Sequence, residues 1–232
     1  MSFIGFVSFI GTIIIFLLSK KVYRKMNWII LSPLLICPLI IIALLLITHT
    51  SYEDYNSGAT WLSKLLGPAT VAFAVPIYKN YALLKEHAKA IGASLITGCA
   101  VAIISSFLFA LWIGLSNEMI NSLVPRSITT PIAMDISEII GGEPTMTAVF
   151  VIVTGLTGSI IGPLIIRYIR IRTSAAKGLL LGMGAHGCGT SKAFEIGELE
   201  GTYSSLAMIV AALISIVLSD TFFPLLQHYL IG

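Results

Sequence analysis

Hydrophobic residues in this chain fall into long runs that contain no charged side chain. An α-helix needs about 20 apolar residues to cross the hydrocarbon core of a bilayer. Five runs without Lys, Arg, Asp or Glu approach or exceed that length, and they predict five transmembrane helices in an all-α, polytopic membrane protein. The runs are residues 1–19, 26–48, 90–117, 144–166 and 201–219.

Three further segments are partly apolar but are interrupted by glycine, proline or charged residues. Proline inside a membrane helix removes a backbone hydrogen bond, and irregular backbone at membrane depth persists only where protein or a water-filled cavity satisfies it. We therefore expect about six to eight membrane segments in total, two or more of them broken or re-entrant. The interrupted segments are 61–78, with breaks at Gly67, Pro68 and Pro76; 122–142, with breaks at Pro125 and Pro131; and 184–200, with Gly187 and Gly189.

The loops between the apolar runs differ in charge, and this difference predicts a topology. Residues 20–25 and 167–177 are basic, whereas residues 49–60 contain two acids and no Lys or Arg. Basic loops favour the cytoplasmic side, so we expect an uncleaved signal anchor with its N-terminus outside. Residues 122–142 then form a hairpin from the outside, and residues 184–200 form one from the inside. The alternative is that both segments cross the membrane as broken helices.

Two weak internal similarities indicate that the chain is duplicated. Residues 66–80 and 181–195 share a Leu-Gly start, small residues and a Lys near the end, and each leads into an apolar run. Residues 31–41 and 123–134 share their proline spacing. Paired interrupted segments in corresponding positions of two repeats mark the binding site in many transporters. The predicted unit is a single integral membrane domain, 1–232, with a first half 1–115 and a second half 116–232.

The composition excludes several classes of function. The chain has 232 residues, of which 56% are hydrophobic and 11% charged, against about 25% charged in soluble domains. The net charge of +3 lies in loops and indicates no nucleic-acid partner. The three cysteines lack metal-ligand spacing, and no zinc-protease, phosphate-loop or dinucleotide fingerprint is present. We therefore expect no enzymatic activity, no metal and no cofactor, and a lipid bilayer as the surrounding medium.

The interrupted segments supply candidate chemistry for binding a small anion. A break near Gly187 and Gly189 would expose the N–H groups of a new half-helix, and such an N-terminus favours a carboxylate. Thr190 or Ser191 is predicted to cap this half-helix. Arg126 would bind the same carboxylate through two donors. The predicted substrate-binding residues are Arg126, Ser127, Thr129, Thr130, His186, Gly187, Gly189, Thr190 and Lys192.

One histidine and three carboxylates are candidates for proton or ion coupling. Ionisable residues inside a membrane are functional by default, and an imidazole titrates near neutral pH. His186 would bind and release a proton, with Glu195 as its partner. Asp135 and Glu138 share one helical face and would bind a cation or a proton.

Structural roles explain the same residues as well. The glycines would form a packing surface between helices, and Arg126 would lie at the membrane interface. Lys192 would pair with Glu195 at i,i+3, and His186 would be a hydrogen-bonded core residue. The two acids of residues 122–142 would face a loop or a salt bridge.

Three separated motifs resemble those of the LrgB/CidB family of membrane proteins, in the same order along the chain. The resemblance covers the whole chain, and the wording of the second and third motifs is closer to the CidB-type branch. The motifs are 67-GPATVAFAVPIYKN-80; 124-VPRSITTPIAMDISEIIGG-142 followed by 147-TAVFVIVTGLTGSIIGP-163; and 186-HGCGTSKAFE-195 with Glu198, Glu200, Gly201 and 204-SSLAM-208.

The resemblance implies two classes of function. Bacterial members are described as holin- or antiholin-like proteins that modulate murein hydrolase export or activity, cell lysis and programmed cell death, with a small membrane partner of the LrgA/CidA type. Other relatives carry glycolate, glycerate or pyruvate. Because a lytic pore does not require broken segments with Arg, Lys and His, we expect a secondary transporter of small monocarboxylates that is coupled to protons. The holin-like effector is the alternative, and both imply a homo-oligomer in the bacterial cytoplasmic membrane.

Overall fold

The computed structural model describes residues 3–26, 31–72 and 74–231. Within these residues every regular element is a helix and no β-strand is present, so the predicted all-α class is confirmed. The α-helices are α1 (Phe3–Met26), α2 (Pro33–Thr48), α3 (Tyr52–Lys64), α4 (Leu66–Ala72), α5 (Ala74–Lys79), α6 (Tyr81–Glu86), α7 (Ala88–Trp112), α8 (Asn117–Leu123), α9 (Thr130–Ile139), α10 (Pro144–Tyr168), α11 (Ser174–Ile196) and α12 (Glu198–Ile231). A 3₁₀ helix (Val124–Ser127) lies between α8 and α9.

Four of the described helices are long and apolar enough to cross a membrane. They are α1, α7, α10 and the Glu198–Leu225 part of α12, with 24 to 28 residues each. α2 has only 16 residues, fewer than the about 20 that a span needs. The second of the five predicted spans is therefore shorter than expected, and residues 27–30 of it lie outside the described residues.

The contacts divide the chain into two compact units, Met1–Ala72 and Phe73–Gly232. The division lies at a different place from the predicted boundary between halves 1–115 and 116–232. The single domain with duplicated halves stays a prediction.

The start of α3 corrects the prediction of a loop at residues 49–60. The chain is helical from Tyr52 onwards. The hydroxyl of Ser51 accepts a hydrogen bond from Asp54 N at 3.1 Å and caps the helix. Acidic residues in the first turn of α3 add a favourable interaction with the helix dipole, so the charges that suggested a loop stabilise a helix start.

The interrupted segment 61–78 contains the end of α3 and two short helices, α4 with seven residues and α5 with six. A further six-residue helix, α6, follows it. Gly67 and Pro68 lie in the first turn of α4, where proline is tolerated because its missing N–H is not needed, and Pro76 lies inside α5. Residue 73, between α4 and α5, is outside the described residues.

Residues 117–139 form a hairpin, here called the first hairpin, which returns to the end at which it starts. α8 and the 3₁₀ helix form its first arm, and α9 forms its second arm. At the open end, Asn121 Nδ2 donates to the carbonyl of Ile140 at 2.6 Å, and Glu143 N donates to Ser122 Oγ at 2.7 Å. The segment therefore folds back, as the re-entrant prediction requires, instead of running through as a broken helix.

The turn of the first hairpin lies between its two prolines. Pro125 belongs to the 3₁₀ helix, Ile128 is extended (φ −127°, ψ −177°), and Pro131 lies in the first turn of α9. Proline suits both places, because the first turn of a helix does not use its N–H. The predicted breaks thus flank the turn.

α11 is the second hairpin, with helical backbone on both sides of its turn. His186 has φ 38° and ψ −121°, and it divides α11 into a first arm, 174–185, and a second arm, 187–196. The arms lie so close together that a Cβ at Gly189 would overlap the carbonyl oxygen of Leu181. The glycine is required at this point by the close approach of the two arms.

α12 packs along the second hairpin and starts at its open end. A hydrogen bond of 3.0 Å joins Thr190 Oγ1 and Ser204 Oγ. At the open end Lys177 Nζ lies 3.6 Å from Glu200 Oε1. The second hairpin therefore also returns to the end at which it enters.

α10 connects the two hairpins and sets their directions. Its 25 residues span about 37 Å. It begins beside the open end of the first hairpin, where Thr147 Oγ1 donates to Ser137 Oγ at 2.7 Å, and it ends before residues 169–173, which lead into the second. The first arm of the second hairpin packs on a glycine stripe of α10, so the two hairpins enter from opposite ends and their turns approach the middle of α10. The stripe consists of Gly155, Gly158 and Gly162.

A hairpin followed by a long helix thus occurs twice in the second unit, with opposite directions. The first hairpin precedes α10, and the second hairpin precedes α12. Inverted repeats with interrupted helices are common in secondary transporters. This repeat lies wholly within residues 117–225, and it is distinct from the one predicted between residues 66–80 and 181–195.

Candidate functional site

Arg126 lies at the turn of the first hairpin and reaches the middle of two long helices. Its Nε donates to Ser106 Oγ of α7 at 3.1 Å, and its Nη1 donates to Thr154 Oγ1 of α10 at 3.2 Å. The residue is half-buried, and it has no ion-pair partner among the side chains that the structure describes. A guanidinium has five N–H groups, so the two neutral hydroxyls leave donors for an anion.

A helix N-terminus follows the turn of each hairpin. α9 starts at Thr130, after Thr129 in an extended conformation, and the Thr129 side chain makes no capping hydrogen bond. The second arm of the second hairpin starts at Gly187, directly after the turn. N–H groups at a helix start lack intrahelical partners and favour anions. Each turn is therefore followed by backbone donors that suit a carboxylate.

His186 forms the turn of the second hairpin and packs against α10. Its ring lies against Gly155, where an added Cβ would meet Cε1 at 2.7 Å, and it hydrogen-bonds the backbone of Val151. The residue is 5% exposed, and Nε2 has no partner among the described residues. Because Gly155 directly follows Thr154, the imidazole of His186 and the guanidinium of Arg126 contact consecutive residues of α10.

The backbone of His186 is unusual for a residue with a side chain. A φ of 38° with ψ of −121° resembles the first central position of a type II′ turn, which favours glycine. Such conformations cost on the order of 1–3 kcal/mol and are concentrated at functional sites. The prediction placed the break on Gly187 and Gly189, but the chain places it on His186. Gly187 has open space around it.

The remaining predicted residues of the second hairpin lie away from its turn. Thr190 is buried against Ser204, so it holds the hairpin to α12 and does not cap a half-helix that begins at Gly187. Lys192 Nζ pairs with Glu195 Oε2 at 2.6 Å. Glu195 lies about 13 Å from His186 along the arm, so the structure does not bring these two together.

The acidic pair of the first hairpin faces outward. Asp135 and Glu138 are exposed, whereas Ala133 and Ile136 of the same helix are buried. The structure therefore keeps this pair apart from His186. Ser127, next to Arg126 in the first hairpin, lines a small internal cavity.

Three site residues lie in the apolar runs and were not predicted. Ser106 and Thr154 orient Arg126, and Gly155 makes room for His186. Of the three, Gly155 has a signal in the sequence, the spacing of small residues in 155-GLTGSIIG-162, which is typical of close helix packing. That spacing identifies a packing face but not what packs on it.

Comparison with known proteins gives the family. The profile of the LrgB-like family matches residues 12–225. The chain belongs to the LrgB-like family. Together with the long apolar helices, this membership indicates a multi-pass membrane protein.

Relatives within this family match along almost their full length. The chain is 50% identical over 214 residues to the uncharacterized protein YwbG of Bacillus subtilis, which covers 92% of this chain and 95% of YwbG. It is 40% identical to the uncharacterized protein YxaC of the same organism, over 92% of this chain and 91% of YxaC. It is 39% identical to the holin-like protein CidB of Staphylococcus aureus, over 89% of this chain and 90% of CidB. No solved structure matches the chain significantly.

Proposed function

We propose that this LrgB-family chain is a secondary carrier of small monocarboxylates. The observation that carries the proposal is Arg126, a half-buried guanidinium held by two hydroxyls with no carboxylate partner among the described side chains. A charge at membrane depth is costly unless it is paired or faces water. A substrate carboxylate would supply the missing partner.

The proposed roles follow from the position of each group. Arg126 binds the carboxylate through two parallel hydrogen bonds, and the N–H groups at the start of α9, near Thr129 and Thr130, add further donors. His186, with its unpartnered Nε2, accepts and releases the coupled proton. Pyruvate, glycolate and glycerate have the single carboxylate and short body that this arrangement would hold.

The names of the staphylococcal relatives favour a second function. CidB is called a holin-like protein, and that name fits an effector of cell lysis better than a carrier. As an effector, the chain would act by assembling with further copies and with a small membrane partner of the LrgA/CidA type. Binding of a carboxylate at Arg126 would then be unnecessary.

Uptake of labelled pyruvate, glycolate, glycerate and lactate into liposomes tests the first function. The purified protein is reconstituted with and without an imposed pH gradient, beside Arg126→Gln and the matched control Arg172→Gln in the exposed loop. We expect saturable uptake that the gradient stimulates, that Arg172→Gln retains, and that Arg126→Gln lowers by about a hundredfold or more, as for loss of a charge-assisted bidentate contact.

Two outcomes would count against the carrier. Uptake that Arg126→Gln leaves unchanged would place the substrate elsewhere. Absence of uptake from folded protein, repeated after co-reconstitution with a small LrgA/CidA-type protein, would favour the lysis effector.

A further inference from the structure

Two cavities meet in the second unit, between α7 and the first arm of the second hairpin. One is an open groove of about 720 Å³, lined by residues from the start of α7, by Thr173 before α11 and by the first arm of the second hairpin. Its lining is mainly apolar. The lining includes His87, Ser94, Leu95, Leu179, Met183 and Gly184.

The other cavity is small and internal. It has a volume of about 10 Å³, enough for about one water molecule. It lies at the turn of the first hairpin, because Ser127, the neighbour of Arg126, is part of its wall. The buried hydroxyl of Ser219 also faces it and has no partner among the described residues. Its walls include Cys99, Ser127, Ile128, Met183, Ser215 and Ser219.

Met183 is the residue that the two cavities share. Its thioether lies over Gly98 of α7, where an added Cβ would meet Met183 Sδ and would meet Cε at 2.7 Å. Gly98 therefore provides the space in which this side chain rests. Methionine is unbranched and adopts several shapes at low cost, and the open groove leaves room for it to move.

We propose that Met183 is the gate between the groove and the inner cavity at the turn of the first hairpin. In the present conformation the gate is closed, because the space behind it is too small for a carboxylate. When the side chain turns into the groove, a short monocarboxylate passes from the end of the molecule with residues 169–173 to the turn of the first hairpin. That this route carries substrate rests on the proposed carrier function. That Met183 closes the route rests on the geometry alone.

The native Cys99 reports on the gate, because it lines the inner cavity and is 2% exposed. Purified wild-type protein, Met183→Ala and the volume-conserving Met183→Leu are treated with a small methanethiosulfonate reagent. Modification of Cys99 is followed by peptide mass spectrometry, with the buried Cys37 as an internal reference. Met146→Ala, which lines neither cavity, is the matched control for loss of a methionine.

Met183→Ala is expected to raise the rate of Cys99 modification by about tenfold or more. In the wild type the path to Cys99 opens only transiently, whereas the shortened side chain leaves it open permanently. Met183→Leu and Met146→Ala should modify at the wild-type rate. Met183→Val serves in place of alanine if that variant does not fold. Equal rates in the shortened and wild-type proteins would overturn the gate. If Met183→Ala speeds the modification of Cys99 but the protein shows no carboxylate uptake, the gate is supported and the carrier function is not.

Discussion

At the scale of single residues, a histidine occupies a backbone position that favours glycine, and a glycine lies opposite it in α10. The turn of the second hairpin requires a φ of 38°, which glycine adopts most easily, yet a histidine occupies it. The glycine lies opposite, in α10, where a side chain would meet the imidazole. The pair positions a buried ring at the middle of a long helix, with an Nε2 that has no partner among the described residues.

Glu143 gives a prediction for the dependence of stability on pH. Its carboxylate caps α10 by accepting hydrogen bonds from Met146 N and Thr145 N, and the Met146 bond is the largest cause of a lowered pKa at this half-buried position. Because the folded pKa lies below the ordinary value of about 4.3, the cap stabilises the fold above that value and loses this effect as pH falls through the lowered pKa.

We therefore expect Glu143→Gln to be less stable than the wild type at neutral pH, with the difference shrinking in acid. The measurement is the Tm of both proteins in detergent between neutral pH and about pH 3, which lies below the ordinary carboxyl value. Glu138→Gln, on the exposed face of α9, controls for loss of a negative charge. A difference in Tm that stays constant over the whole pH range would contradict the capping role.

At the scale of elements, the second hairpin distinguishes two glycines that look alike in the sequence. A Cβ at Gly189 would overlap the Leu181 carbonyl, whereas one at Gly187 meets nothing within 4 Å. Gly189→Ala should therefore separate the arms and destabilise the protein by about 3 kcal/mol or more, in the range of severe core changes. Gly187→Ala should be neutral or slightly stabilising, because alanine has the higher helix propensity.

The two glycine variants are compared by yield of folded protein and by Tm in detergent. Similar losses in both would mean that the arms do not pack as closely as described. A loss confined to Gly187→Ala would place the turn on the glycine, as the sequence first suggested.

The hairpins show how much of the elements could be predicted. Proline, glycine and charge marked residues 122–142 as interrupted, and this segment folds back. The second hairpin is Ser174–Ile196, so its first arm precedes the predicted segment 184–200. The turn at His186 could not be predicted, because contacts with other elements decide it. The helix at residues 52–64 does have a local signal, the Ser51 cap and the acidic first turn, which was interpreted as a loop. The second span is shorter than expected, whereas segment 61–78 is interrupted as predicted.

At the scale of the whole molecule, the opposed hairpins predict which loops share a side of the membrane. α10 is long enough to cross, so the open end of the first hairpin and residues 169–173 should lie on opposite sides. The basic loop is expected in the cytoplasm. Arg172→Cys should react with an impermeant thiol reagent only in inverted vesicles, and Glu118→Cys only in intact cells.

In this experiment the wild-type protein gives the background labelling of the native cysteines. Labelling of both variants from one side would mean that segment 122–142 crosses the membrane instead of returning. Labelling from opposite sides, but each from the side opposite to the expected one, would support the first hairpin and reverse the topology.

The sequence by itself determined the membrane class, most of the long apolar helices and the interrupted segments, and it marked Arg126 as a candidate. These features depend on composition, on hydrophobic run length and on residues with unusual backbone or charge, all of which can be read locally. Tertiary structure alone decided that Thr154 and Gly155 contact the two turns and that Met183 lines two cavities. Such contacts join residues far apart in the chain and depend on packing at the scale of one side chain, which no local pattern encodes.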